Sequence, residues 1–232
     1  MALRGHSPST FGKNPTAMKM KFFYSLALIA IASFASCDKD KENNNDNGGG
    51  GTPETPVEPT TVTIGDKAYP IVKIGTQSWT GANYSGAGGD ASPTAPSTQY
   101  GKVYTYAEVS AITPPAGWRL PTKDDYINLL KSQGAEFGAD NKTTNVDAIR
   151  KVISASGWTG GVQGTNSSNF NAFPAGYYHG FHDYEGAVTV FWTSSKATGN
   201  DPYFFSISST EAGLFTNTIT NEMFSIRFIK AN

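Results

Sequence analysis

One cysteine, Cys37, stands in a chain of 232 residues, so whatever folds here folds without an intrachain disulfide and is held by packing alone. Its position constrains the chain further. Cys37 follows an apolar run over residues 22–35, which Lys19 and Lys21 precede and the small residues Ala35 and Ser36 close. The run is 14 residues long, short of the roughly 20 that a helix needs to cross the hydrocarbon core of a bilayer. A basic flank, a short apolar centre and small residues before a cut site describe a removable export segment. Residues 1–37 are therefore expected to be a cleaved leader. Met18-Lys-Met-Lys is where a compact leader would begin, so the true initiator is expected at Met18 or Met20.

A cysteine directly after the cut resembles the lipobox of bacterial lipoprotein signal peptides. That resemblance implies a diacylglyceryl group on Cys37, a membrane as partner, and an outer-membrane location with cell-surface exposure. Each buried methylene contributes roughly 0.8 kcal/mol, and two or more acyl chains hold a protein stably. The acidic residues that follow resemble surface-export signals of Bacteroidetes-type lipoproteins. Residues 38–59, with four consecutive glycines, three prolines and one large aliphatic residue (Val57), cannot bury enough surface to offset their ordering entropy. They are expected to be a tether spanning on the order of 25 Å. Asn43, Asn45, Asn47-Gly48 and Glu54 have calcium-loop spacing, but no helical pattern flanks them and Pro53 adjoins Glu54, so they belong to the tether.

The formal net charge is −1. Arg4, Lys13, Lys19 and Lys21 leave with the leader, and six of the acids lie in the tether against two lysines. The remaining domain is nearly neutral and lacks the concentrated positive surface that nucleic-acid binding requires. Residues 60–232 suit one domain with one sizeable core.

Within that domain, 61–64 and 68–74 are expected as two strands around a Gly65-Asp66 turn. Residues 81–99 are expected as loop and 106–111 as a short helix. Thr122 is placed to cap a helix with Asp125 in the capping-box position, burying Tyr126, Leu129 and Leu130 on one face. A second helix is expected over about 145–155. Strands are expected over 170–178, 187–194, 202–208 and 223–230. In the last, Phe224, Ile226 and Phe228 alternate with Ser225 and Arg227, so Arg227 is expected on the solvent side. Two helices followed by an antiparallel meander with long loops indicate an α+β domain.

Six segments succeed one another in order: Val72-Lys-Ile-Gly-Thr-Gln-Ser-Trp79, Tyr100-Gly-Lys-Val-Tyr-Thr-Tyr106 and Gly117-Trp-Arg-Leu-Pro-Thr-Lys-Asp-Asp-Tyr126, then Asn169-Phe-Asn-Ala-Phe-Pro-Ala-Gly-Tyr177, Phe191-Trp-Thr-Ser-Ser195 and Phe224-Ser-Ile-Arg-Phe-Ile229. This series resembles the Fibrobacter succinogenes major paralogous domain across about 60–231, with Tyr126 in place of a tryptophan and Phe228 in place of a cysteine. The family implies an exported lipoprotein and no particular activity. The Arg119-Leu-Pro-Thr122 segment is also similar to formylglycine-generating enzymes. That similarity implies a C-type-lectin-like fold, with two helices packed on a small twisted antiparallel sheet among long irregular loops. The active-site cysteines of those enzymes are missing here, and so are the calcium-binding tripeptides of C-type lectins. Gly199-Asn200-Asp201-Pro202 matches only a fragment of the latter.

The candidate binding residues lie in two places. Tyr177, Tyr178, His179, Phe181, His182, Asp183 and Tyr184 put rings, imidazoles and carboxylates in one turn. Such a group suits a sugar or peptide ligand through its rigid amphipathic rings, or zinc through its imidazoles and carboxylates. Core packing and a simple strand connection are the plainer alternatives, and neither a metal nor a cofactor is assigned. Asn200 and Asp201, with the polar loops 160–169, 195–201 and 216–222, could complete a recognition surface, and Tyr203 is a candidate neighbour of the aromatic turn. Serine catalysis has no foothold, because there is no G-x-S-x-G and the domain's histidines are His179 and His182. No catalytic residue is assigned. The sequence thus favours a non-catalytic module binding a glycan or protein. A structural or adhesive envelope component and a polysaccharide hydrolase with carboxylates paired only in the fold are the alternatives.

Cys37→Ser is expected to abolish incorporation of labelled palmitate and to release the protein from the membrane fraction. Undiminished labelling of that variant would refute the lipid anchor.

Overall fold

The computed structural model describes residues 60–92, 97–218 and 221–230. Cys37, the leader, the tether and the calcium-spaced asparagines lie outside the described residues. No helix among the described residues is long and apolar enough to cross a membrane.

The domain opens with a meander of β1 (Thr61–Ile64), β2 (Lys67–Ile74) and β3 (Gln77–Thr80). Alternation in β1 turns Val62 and Ile64 inward. The β1–β2 connection is the two-residue turn Gly65-Asp66, in which Gly65 adopts φ 66°, the positive φ such tight hairpins demand. Then come α1 (Ser97–Tyr100), β4 (Tyr104–Thr105), α2 (Tyr106–Ala111), β5 (Trp118–Arg119), α3 (Lys123–Lys131), β6 (Lys142–Thr143) and α4 (Val146–Val152). The second half is β7 (Ala175–Tyr178), β8 (His182–Glu185), β9 (Val188–Lys196), β10 (Pro202–Ser208), β11 (Ala212–Thr216), β12 (Met223–Phe224) and β13 (Ile229–Lys230).

The class is mixed and rich in β-structure. The strands form two sheets, where one small sheet was expected. One has five strands in the order β1-β2-β3-β13-β5; the other follows the path β4-β12-β7-β9-β10-β11-β6, with β8 beside β7. The pairings are antiparallel except β7 with β9, which run parallel at Gly176 and Thr189.

Local chemistry fixes the helices. At α3 the Thr122 hydroxyl accepts from the Asp125 N–H at 3.2 Å, and the Asp125 carboxylate accepts from the Thr122 N–H at 2.7 Å. This is the expected box, and it satisfies two amides that a helix start leaves orphaned. Asp125 also pairs with Arg119 at 2.6 Å and accepts from Gln77 Nε2 at 3.2 Å. Burial pushes its carboxyl up, but the Arg119 and Thr122 hydrogen bonds outweigh that and hold it below the usual range. Helix α4 ends earlier than expected. Ile153 turns extended (φ −81°, ψ 154°) and bridges to Ala172.

Two packed clusters result. In the first, Tyr126, Leu129 and Leu130 of α3 and Ile149 and Val152 of α4 meet Trp79, Phe170, Phe191 and Phe205. The Tyr126 ring stacks on Phe205 at 4.5 Å. The second gathers Ile64, Tyr69, Tyr84, Tyr104, Trp192, Phe224 and Phe228, and Trp192 Nε1 donates to the Tyr104 carbonyl at 2.7 Å. Trp118 packs against this second cluster but is only half-buried.

Two strand expectations fail, for identifiable reasons. Residues 170–174 are not strand, because Asn169 and Asn171 take left-handed backbone (φ 61° and 57°), a conformation that asparagine tolerates better than most residues. The segment 223–230 is not one alternating strand either. It splits into β12, which joins the larger sheet, and β13, which joins the smaller. Residues 224–229 are all buried, and Arg227 is 1% exposed.

Arg227 therefore points inward. Its Nε donates to Asn83 Oδ1 at 2.6 Å, Nη1 to the Thr80 carbonyl at 2.7 Å and Nη2 to the Asn171 carbonyl at 3.1 Å. The guanidinium lies 4.7 Å over the Phe170 ring and 5.9 Å from that of Phe191. Burial pushes its pKa down to about 9, so the side chain is still a cation at neutral pH. Arg227→Met keeps the volume and removes the donors, leaving three acceptors without their partner. Each buried polar group left so costs about 1–3 kcal/mol. The variant is expected to lose on the order of 3 kcal/mol or more and to melt roughly 6–12 °C lower by calorimetry, whereas an unchanged melting temperature would contradict this account.

Candidate functional site

Strand alternation gives the larger sheet two unlike faces. Phe191 of β9, Phe205 and Ile207 of β10 and Leu214 of β11 enter the first core. Val188, Val190 and Trp192 of β9 and Phe204 of β10 pack with the second cluster instead, and Phe215 stacks on Phe204 at 5.5 Å. This second face is only partly covered. Phe224 of β12 lies on it, 4.2 Å from the Trp192 ring and 5.0 Å from that of Phe204. Beside Phe224 opens a concavity of about 280 Å³, lined by Tyr177, Val188, Val190, Phe204, Ser206, Phe215, Glu222 and Phe224. The Glu222 carboxylate accepts from Asn217 Nδ2 at 2.7 Å.

The β7–β8 hairpin forms one rim. Tyr177 pairs with Asp183 and Tyr178 with His182, and the chain reverses through His179-Gly180-Phe181, with Gly180 at φ 100°. Tyr184 has φ 58°, a left-handed conformation that is strained for an aromatic residue. Its ring stacks on Tyr177 at 5.4 Å and an interplanar angle of 6°, while Tyr177 meets Phe224 edge-on at 5.8 Å. His179 bridges Tyr177 and Phe181 at 5.2 and 4.4 Å. Phe181 is 59% and Tyr184 52% exposed. Together they make a ring-lined lip leading into the concavity.

The structure divides the residues singled out from sequence. Tyr177, His179, Phe181 and Tyr184 come together at the lip, with Asp183 beside them accepting from the Tyr184 N–H at 2.7 Å. Tyr178 and His182 form a separate contact. Their rings meet at 5.2 Å, and His182 Nε2 lies 3.4 Å from the Asp90 carboxylate. Among the described residues, no three His, Cys, Asp or Glu side chains are grouped so as to hold a metal ion.

Asn200 and Asp201 are not part of the lip. They line a second concavity of about 310 Å³ with Tyr106, Ala107, Trp192, Pro202, Asn217 and Thr218. The loops 195–201 and 216–222 both reach it. Loop 160–169 does not lie there: its backbone is tied to α4 and the turn after it by Gly164, Thr165 and Ser168 amides donating to the Ser154, Arg150 and Lys151 carbonyls. Tyr203 is no neighbour of the lip either. It packs against the first core, with the Lys123 ammonium 5.2 Å over its ring.

Sequence reasoning missed Phe204, Phe215 and Phe224 as site residues, and singled out Glu222 only as the end of the polar loop 216–222. A clue was present in Phe204-Phe205 and Leu214-Phe215. Adjacent large apolar residues in a strand point to opposite faces, so one ring of each pair had to leave the core.

The Fibrobacter succinogenes major domain matches residues 72–230. The chain belongs to this family. No curated protein and no solved structure matches it. The Fibrobacter succinogenes major domain thus takes in the Arg227 network, the aromatic face and both concavities.

The electrostatics of the lip yield a test. Burial, then the neighbouring Tyr184, Glu222 and Asp183, push the Tyr177 hydroxyl above the ordinary tyrosine pKa of about 10. Glu222→Gln removes one of the charges opposing phenolate formation. In an alkaline titration followed by tyrosinate absorbance or NMR, Tyr177 is expected to ionise at lower pH in that variant than in the wild type.

Proposed function

We propose that this protein is an envelope lipoprotein whose domain binds a glycan or protein ligand through the aromatic face and its hairpin lip, without catalysing a reaction. Lipid on Cys37 anchors it to the outer membrane, and residues 38–59 hold the domain clear of the bilayer. We read the domain as C-type-lectin-like, a reading supported by α3 packed against α4, β9 and β10 and by the long irregular connections between elements.

One observation carries the binding role: the coplanar Tyr177–Tyr184 pair and the exposed Phe181 stand beside a half-open, ring-lined concavity. Grouped exposed rings mark interaction sites in soluble domains. Tyrosine offers large contact area at low cost in conformational entropy, and β7, β8 and β9 hold these rings in fixed register.

Tyr184→Ala truncates an exposed ring that contributes little to the core. The variant is expected to keep its melting temperature, with a stability change within about 0.5 kcal/mol. It should lose about tenfold or more in ligand affinity, the equivalent of about 1.4 kcal/mol. The measurement is retention of the intact, detergent-solubilised lipoprotein on a glycan array and on immobilised envelope proteins. Wild-type protein that is retained by neither would end the binding reading.

A further inference from the structure

Trp192 forms part of one concavity and Phe224 part of the other, and their rings touch at 4.2 Å. Asn217 lines the concavity near Asp201 and donates to Glu222, which lines the other. Pro202 and Ser206 sit on one strand, β10, with one at each concavity; four residues of strand span ~13 Å. The two hollows are therefore stations along a single trough, separated by the Asn217–Glu222 bridge.

The chemistry of the trough is one-sided. Its charged lining groups are the carboxylates of Glu222 and Asp201, and neither lining includes Lys or Arg. Lys196 stands over the Tyr106 ring at 5.7 Å and Lys142 over the Phe215 ring at 4.9 Å, both outside the linings, and Lys142 is paired with Glu211 at 3.6 Å. Carboxylates only accept hydrogen bonds, so the trough favours a ligand rich in donors and disfavours an anionic one. The floor consists of ring faces and strand side chains, while the backbones of β9 and β10 are each paired on both sides. A peptide adding as a strand needs unpaired edge amides and carbonyls, which this floor does not present. Sugar rings, with hydroxyl donors at their rims and C–H faces that stack on aromatics, match both features.

We infer that the two hollows are consecutive subsites for one linear, uncharged oligosaccharide lying along β10, an inference that rests on the binding role proposed above. Glu222 and Asp201 accept hydroxyl hydrogen bonds at the two subsites, and Tyr177 and Phe204 present ring faces.

The test is calorimetric titration of the intact lipoprotein in detergent micelles. The probes are neutral linear cello-, xylo-, manno- and laminari-oligosaccharides of increasing length, with oligogalacturonides as the anionic comparison. For at least one neutral series, affinity is expected to rise about tenfold or more between the monosaccharide and the tetrasaccharide. Oligogalacturonides should bind at least about tenfold more weakly. Ser206→Phe, which fills one hollow, should abolish the gain with length. Asp201→Ala, at the other, should leave short sugars bound and flatten the length dependence. Thermal melts verify that both variants are folded. Length-independent binding, a preference for oligogalacturonides, or neutral binding untouched by either variant would overturn the inference while leaving the binding role standing. Retention by an envelope protein with no glycan bound would do the same. Retention by nothing at all would remove both.

Discussion

The cation of Arg227 is buried in a hydrophobic interior with no carboxylate among its hydrogen-bond partners. Removing such a charge from water costs several kcal/mol even after relaxation. Here it is offset by three hydrogen bonds to neutral oxygens, each contributing about 1.5–3 kcal/mol when one partner is charged, and by the ring faces of Phe170 and Phe191, where a desolvated cation–π contact adds about 2 kcal/mol. The acceptors come from two distant stretches of chain: Thr80 and Asn83 at and just after the end of β3, and Asn171 ahead of β7. One guanidinium thus fixes the relation of the first meander to the second half of the domain. It performs in one small network the crosslinking that a chain with a single cysteine cannot obtain from sulfur.

Burying Arg227 also explains why 223–230 departs from strand. A period of two would place Phe224, Ile226 and Phe228 on one side and Arg227 on the other. With both sides covered, the alternating pattern no longer distinguishes inside from outside, and the segment is free to serve two sheets. Elsewhere the sequence was more transparent. Thr122 with Asp125, Tyr106–Ala111 and Pro202–Ser208 follow local rules of capping and periodicity, and those rules hold in the structure. The elements that escaped depend on long-range partners: Asn169 and Asn171 in left-handed backbone, Ile153 leaving α4 to meet Ala172, and the parallel contact between β7 and β9.

The candidate site was legible in proportion to its locality. The hairpin is contiguous in sequence, so its rings could be named from composition alone. The trough beside it assembles residues from β7, β9, β10, β11 and β12, and its existence depends on how far Phe224 covers the sheet. No local pattern encodes coverage. Tyr178 and His182 show the complementary limit. They sit in the same turn as Tyr177 and Tyr184, yet cross-strand register pairs them with each other and brings His182 to Asp90, away from the lip.

The segment from Met223 to Lys230 has a consequence for how the domain comes into being. β12 sits between β4 and β7, and β13 sits between β3 and β5, so neither sheet is continuous until these residues are present. Ile229 must find Trp79 across almost the whole domain, a closure that makes folding slow and non-local. A nascent chain lacking this stretch is without its guanidinium clasp and has both sheets split. Neither sheet can close before Met223–Lys230 has been made, so both halves of the domain must wait for the same eight residues.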